Sequence, residues 1–82
     1  MYKYFVGDTK GWVEVKKAEL VGANLLDFIS TSSYAKGKYV YLDEDVDLSF
    51  FVDFLGYLPS LSVVKVKDNH FENYKKYKGG LQ

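Results

Sequence analysis

Four carboxylates fall within the five positions Asp43-Glu44-Asp45-Val46-Asp47, immediately before the apolar run Leu48-Ser49-Phe50-Phe51. Asp43, Asp45 and Asp47 match positions 1, 3 and 5 of a calcium-loop template. That template also needs glycine at position 6 for its sharp turn and a bidentate glutamate at position 12. Leu48 and Phe54 stand at those two places, so no calcium loop and no other metal site is expected. Helix capping is the second chemistry open to these acids. Asp45 or Asp47 could accept bonds from the first free N–H groups of a helix, contributing about 1 kcal/mol as a cap and ~0.3–1 kcal/mol through the helix dipole. One or two carboxylates meet that need. The others either keep an edge soluble or form an acidic surface that steers a basic partner into contact. Such a protein-binding surface would comprise Asp43, Glu44, Asp45 and Asp47, with Tyr39 and Tyr41 nearby as rigid aromatic contacts.

A second stretch, His70-Phe71-Glu72-Asn73-Tyr74-Lys75-Lys76-Tyr77-Lys78, interleaves lysines with aromatics. Read as a helix, it docks Phe71 and Tyr74 on the body of the protein and leaves its lysines in water. Its functional alternative is single-stranded nucleic-acid binding, with bases stacking on Tyr74 and Tyr77 and phosphates meeting Lys75, Lys76 and Lys78. The only histidine, His70, has no nucleophile at a spacing that implies contact, and residues two apart on a helix do not face each other. Gly7 and Gly11 bracket a turn and match no phosphate-binding loop. No catalytic set is visible, and no cofactor is implied.

Composition narrows the field further. All eleven basic residues are lysine, and the eleven acids bring the formal net charge to zero. Without arginine the chain lacks the planar fork that reads guanine or clamps phosphate in bidentate fashion. Charge is segregated: residues 1–38 carry +2, residues 39–64 carry −5 with no lysine, and residues 65–82 carry +3. The multipole has one acidic side. No cysteine is present, so neither disulfides nor thiolate metal sites staple a chain that buries only roughly 60–65% of its unfolded surface. Eight Tyr, six Phe and one Trp supply the core, at roughly 150–250 Å² each. No apolar run approaches the ~20 residues that span a bilayer, and the first residues lack a signal peptide's apolar segment. The expectation is a soluble cytoplasmic protein.

The elements that must position these residues follow from periodicity. Tyr2–Val6 and Trp12–Lys16 are strands joined by the turn Gly7-Asp8-Thr9-Lys10-Gly11. Ala18, Val21, Leu25, Phe28 and Ile29 recur at helical spacing, broken by Gly22 and Asn24. Ser30–Ser33 is a loop, and Lys38–Leu42 alternates as a strand. Leu48, Phe51, Leu55 and Leu58 mark a helix that Gly56 and Pro59 end. Leu61–Lys67 is a strand whose alternation could pair it with a second copy. Asn69 and Glu72 could cap a last helix reaching Tyr77, before a frayed tail at 79–82.

The order β-β-α-β-α-β-α implies one α+β domain over residues 1–82. It has a three- to four-stranded, mainly antiparallel sheet with helices on one face. Size, missing cysteine and absent catalytic residues resemble the general style of accessory proteins encoded by viruses or mobile elements. The functional expectation is a non-enzymatic protein-binding module, an inhibitor or adaptor acting on a larger protein through its acidic and tyrosine surface. The alternatives are the nucleic-acid module and a structural homo-oligomer.

Overall fold

The computed structural model describes residues 2–67 and 69–77. Tyr2–Val6 (β1) and Gly11–Lys16 (β2) form an antiparallel hairpin, closed by the Gly7 N–H donating to the Lys10 carbonyl at 2.8 Å. A Cβ on Gly11 would come within 2.4 Å of the Tyr4 ring, so a larger residue there would force that ring to move. Helix α1, Lys17–Gly22, is followed by Asn24 in the left-handed region (φ 59) and a single 3₁₀ turn over Leu26–Phe28. Strands β3 (Tyr34–Lys36) and β4 (Tyr39–Asp43) flank the two-residue turn Gly37-Lys38. Helix α2, Leu48–Leu55, stops at Gly56, whose φ of 78 permits the left-handed C-terminal turn that other residues resist. Strand β5 is Leu61–Lys65 and strand β6 is Lys75–Lys76.

Among the described residues, six strands make one sheet in the order β5-β1-β2-β4-β3-β6. β1 and β5 are parallel, and every other pairing is antiparallel. Register opposes Val13 to Leu42 and Val15 to Val40. Because side chains alternate across a sheet, these four fully buried residues share one face. Leu20 of α1, Phe51 of α2, Ile29 and Tyr77 close over them to form the core. The opposite face carries Phe5, Trp12, Tyr34 and Tyr41, covered by Phe71.

This mixed six-stranded, mostly sheet architecture, with two α-helices among the described residues, corrects the expected three- to four-stranded, mainly antiparallel sheet with three helices. Two events account for the difference. Tyr34-Ala35-Lys36 is too short to show period two, and it becomes a strand only because β4 pairs with it. The expected last helix does not form. The Glu72 N–H donates to the Asn69 carbonyl at 3.1 Å, closing one turn rather than capping a helix. Phe71 then lies parallel to Tyr34 at 5.1 Å and 4.6 Å from Trp12, and the chain leaves extended so that Lys75 and Lys76 pair with β3. Aromatic burial across the sheet outweighs a weak local helix signal. The tail expected at 79–82 lies outside the described residues.

Candidate protein-binding surface

The acidic stretch does not form one surface. β4 ends at Asp43, and the turn into α2 carries Glu44 to Asp47. Strand alternation puts Asp43 on the Trp12 face of the sheet, opposite to that of Leu42, and its carboxylate is fully buried there. Its Oδ1 accepts the Asp45 N–H at 2.8 Å, and its Oδ2 meets the Lys10 ammonium at 2.5 Å. Asp47 is also fully buried. It sits at the helix start without capping it. Instead its carboxylate accepts the Ser30 N–H (3.0 Å), the Ser30 hydroxyl (2.8 Å) and the Ser33 hydroxyl. Ser33 Oγ accepts in turn the Asp43 N–H at 2.9 Å. The Asp47 carboxylate and the Ser33 hydroxyl therefore staple the serine loop, the end of β4 and the start of α2 to one another, while the Asp43 carboxylate ties the turn after β4 to Lys10.

Asp43 and Asp47 cannot serve as surface contacts, which corrects the acidic-surface expectation for both. Glu44 is half-buried and accepts the Tyr4 hydroxyl, while Asp45 is exposed. Tyr41 is buried, and its hydroxyl donates to Glu14 at 3.0 Å. Tyr39 is half-buried at the far end of β4, so it belongs to a different part of the surface from Asp45.

Breaking the Asp43–Lys10 pair leaves a buried carboxylate without its counter-charge. Such losses cost about 3–5 kcal/mol in a dry site. Lys10 is 35% exposed, so water reaches one partner and the expected cost of Lys10→Met falls to about 2–3 kcal/mol. Urea unfolding should show that loss, and Asp43→Asn in the same chain should recover part of it. A Lys10→Met variant with unchanged stability would mean that the pair contributes nothing.

Two tyrosine hydroxyls are held protonated by carboxylates. The bond to Glu44, and then burial, push Tyr4 from 10.0 up to about 12. The 2.6 Å bond to Glu19, and then burial, do the same for Tyr2. Burial, followed by the Glu14 bond, raises Tyr41 as well. A folded-state value above the unfolded one contributes stability that is complete below the unfolded value and is lost as pH rises through the folded one. The urea midpoint should therefore fall between about pH 10 and 12. Tyr2→Phe/Tyr4→Phe should flatten that fall, and an unchanged slope in the double variant would remove these two hydroxyls as its source.

The C-terminal set is divided too. Tyr77 is fully buried, its hydroxyl donating to the Leu26 carbonyl at 2.9 Å and its N–H to the Ser33 carbonyl at 2.9 Å. It is unavailable for stacking, which corrects its assignment as a nucleic-acid contact. Tyr74 is half-buried beside Tyr41 and Phe71, with the Lys36 ammonium 4.6 Å from its ring centre. Lys75 and Lys76 are exposed on β6, and Lys76 lies 4.7 Å over the Tyr34 ring. Lys78 lies outside the described residues. His70 stacks on Phe5 at 5.5 Å, with Nε2 3.4 Å from the Tyr74 hydroxyl. Among the described residues no three His, Asp or Glu side chains converge where a metal could sit, and no helix is long and apolar enough to cross a membrane.

The most conspicuous surface feature was not among the expected contacts. Helix α2 buries Phe51 but exposes Phe50 (41%) and Phe54 (55%) on its outer side. Val46 just before the helix, and Tyr57 and Leu58 just after it, are also exposed. Phe28 joins them, its ring 5.9 Å from that of Phe50. Phe50 and Phe54, four positions apart within α2, are neighbours along one side of the helix. The signal was present in the sequence: within Leu48–Leu55 only Ser49 and Asp53 are polar, too few to cover the half of a helix that faces water. Comparison with known proteins returned nothing similar: no family model, curated protein or solved structure matches the chain.

Proposed function

We propose that the protein is a non-enzymatic binding module that docks on a larger protein through the outer face of α2. The supporting observation is the pair Phe50 and Phe54 exposed on one side of α2, with Phe28 against Phe50 and exposed Tyr57 and Leu58 in the segment that follows. Monomeric proteins rarely leave such an apolar patch open without a use for it, and aromatic anchors dominate binding energy where they enter a pocket. The rim is acidic: Asp27, Asp45 and Asp53 are exposed around it, and no lysine occurs from residue 39 to 64. The partner this fits has an apolar groove bordered by basic residues. Of the acids expected to make the contact, only Asp45 stands in this rim.

Two other occupants fit less well. An anionic membrane calls for basic residues beside the apolar face, and here they are acidic. A second copy meeting this face across a twofold axis would set the same patch against itself and bring the acids of one rim toward those of the other. The chain as an inhibitor or adaptor in the cytoplasm is the setting this reading implies.

Phe50→Ser/Phe54→Ser changes only exposed side chains, so its circular dichroism and urea midpoint should match those of the natural chain. Tagged natural protein should retain from a lysate a protein that the double variant loses, and isothermal titration with that purified protein should give a Kd weakened at least 100-fold by the double variant. Equal retention by both chains would refute the proposed surface.

A further inference from the structure

The end of the sheet away from Asp43 gathers lysines. Lys36 ends β3, Lys38 follows Gly37 in the turn, and Lys16 at the end of β2 opposes Tyr39. The Lys17 N–H donates to the Lys38 carbonyl at 2.8 Å, which carries the start of α1 to the same place. Lys75 opposes Ala35 on the other side. Two clefts flank this turn. One, of about 330 Å³, is lined by Lys17, Ala35, Lys36, Gly37, Asn73 and Lys75. The other, of about 550 Å³, runs from Lys16 past Lys38 to Tyr39 and Val21. Among the described residues, no Asp or Glu lines either cleft. In an adjoining cleft Glu14 and Glu19 appear, each bonded by a tyrosine hydroxyl.

Lysines on an edge strand guard against strand-to-strand aggregation. That role accounts for Lys75 and Lys76 on β6, the outermost strand. It does not account for Lys16, Lys36 and Lys38, which stand on inner strands or the turn between them. In a chain of zero net charge, lysines gathered at one end of the sheet make a local positive potential that attracts a polyanion.

From this geometry we infer a second binding surface, centred on Lys16, Lys36, Lys38 and Lys75, that takes the phosphate backbone of single-stranded nucleic acid. Two features favour a nucleic acid over another polyanion. Clefts on both sides of the turn let a strand pass the tip and meet lysines on each side. Beside them, the half-buried Tyr74 and Tyr34 each carry a lysine ammonium over the ring. When Lys36 and Lys76 turn toward phosphate, those ring faces open to a base, and base–aromatic stacking is the recurring device of single-strand binders. Lysine is a point charge without arginine's fork, so the binding is independent of base sequence. This surface replaces the expected lysine and tyrosine helix. It keeps Tyr74, Lys75 and Lys76 from that set and adds the residues around Gly37.

The test is fluorescence anisotropy of a labelled oligo(dT) of about 15 nucleotides, within the range a small single-strand site covers, titrated with the full chain at low ionic strength. Single-strand affinity falls with a log–log salt slope of about −0.7 per phosphate contacted. Four contacts predict a slope near −3 and a loss of roughly 60-fold from 50 to 200 mM salt. Lys36→Ala/Lys38→Ala should halve the slope, to about −1.5. Phe50→Ser/Phe54→Ser should bind the oligonucleotide like the natural chain, so this surface and the one on α2 succeed or fail separately. The single tryptophan, Trp12, lies 5.8 Å from Tyr34, so its emission should change on binding. No binding at low salt would overturn the inference. So would a slope unaffected by the lysine substitutions, or binding to phosphatidylserine vesicles in place of the oligonucleotide.

Discussion

Asp47→Ala is expected to lower the unfolding free energy by about 3–4 kcal/mol. The Asp47 carboxylate is fully buried and accepts three hydrogen bonds, from the Ser30 N–H, the Ser30 hydroxyl and the Ser33 hydroxyl. Bonds to a charged acceptor contribute about 1.5–3 kcal/mol each and do not add fully. Alanine removes the acceptor and leaves the donors stranded, Ser33 in a fully buried position. Asp47→Asn keeps one oxygen and should lose less, about half as much. Were Asp47 merely a helix cap, its loss would cost only about 1 kcal/mol. Urea unfolding followed by circular dichroism separates the two cases. A loss of 1 kcal/mol or less for Asp47→Ala would mean that the serine loop finds other partners.

The second large effect is a contrast along one helix. Phe51→Ala should cost about 3–5 kcal/mol, the range for truncating a fully buried aromatic. Phe51 is 1% exposed and meets Tyr2 edge-on at 5.4 Å. Phe54, three residues on, is 55% exposed, and Phe54→Ala should change stability by about 0.5 kcal/mol or less. The same pair should reverse its ranking in partner binding, where Phe54 belongs to the docking face and Phe51 does not. Equal stability losses in the two variants would mean that the outer face of α2 is covered within the chain itself. That result would remove the basis for the proposed docking surface.

The two acids most deeply committed to the fold are thus the ones whose sequence context looked most like a surface. Asp43 and Asp47 stand in the densest run of charge in the chain, and polar density normally marks solvent. Nothing local announces that Ser30 and Ser33, 17 and 14 residues earlier, supply the donors that make burial of Asp47 tolerable. Lys10, from the turn of the β1–β2 hairpin, is equally remote in sequence from Asp43. A buried charge is stable only with partners, and partners distant in sequence are invisible to a local reading. The same limit explains Phe71. Its helix signal was local and weak, whereas its contacts to Trp12, Tyr34 and Tyr41 come from three strands.

Sequence by itself determined the elements whose causes are short-ranged. The hairpin over Tyr2–Lys16, the strand beginning near Tyr39, the helix stopped at Gly56 and the strand at Leu61 rest on glycine turns and on periods of two or 3.6 residues. Sequence also determined that charge is segregated and that α2 carries more apolar surface than one core-facing side can bury. Tertiary structure alone decided the parallel pairing of β5 with β1 and the making of strands from Tyr34–Lys36 and Lys75–Lys76. It also decided which carboxylates face inward and which lysines gather around Gly37. Each of these depends on hydrogen-bond partners, apolar contacts or charges brought from distant parts of the chain, and such contacts exist only once the sheet has closed.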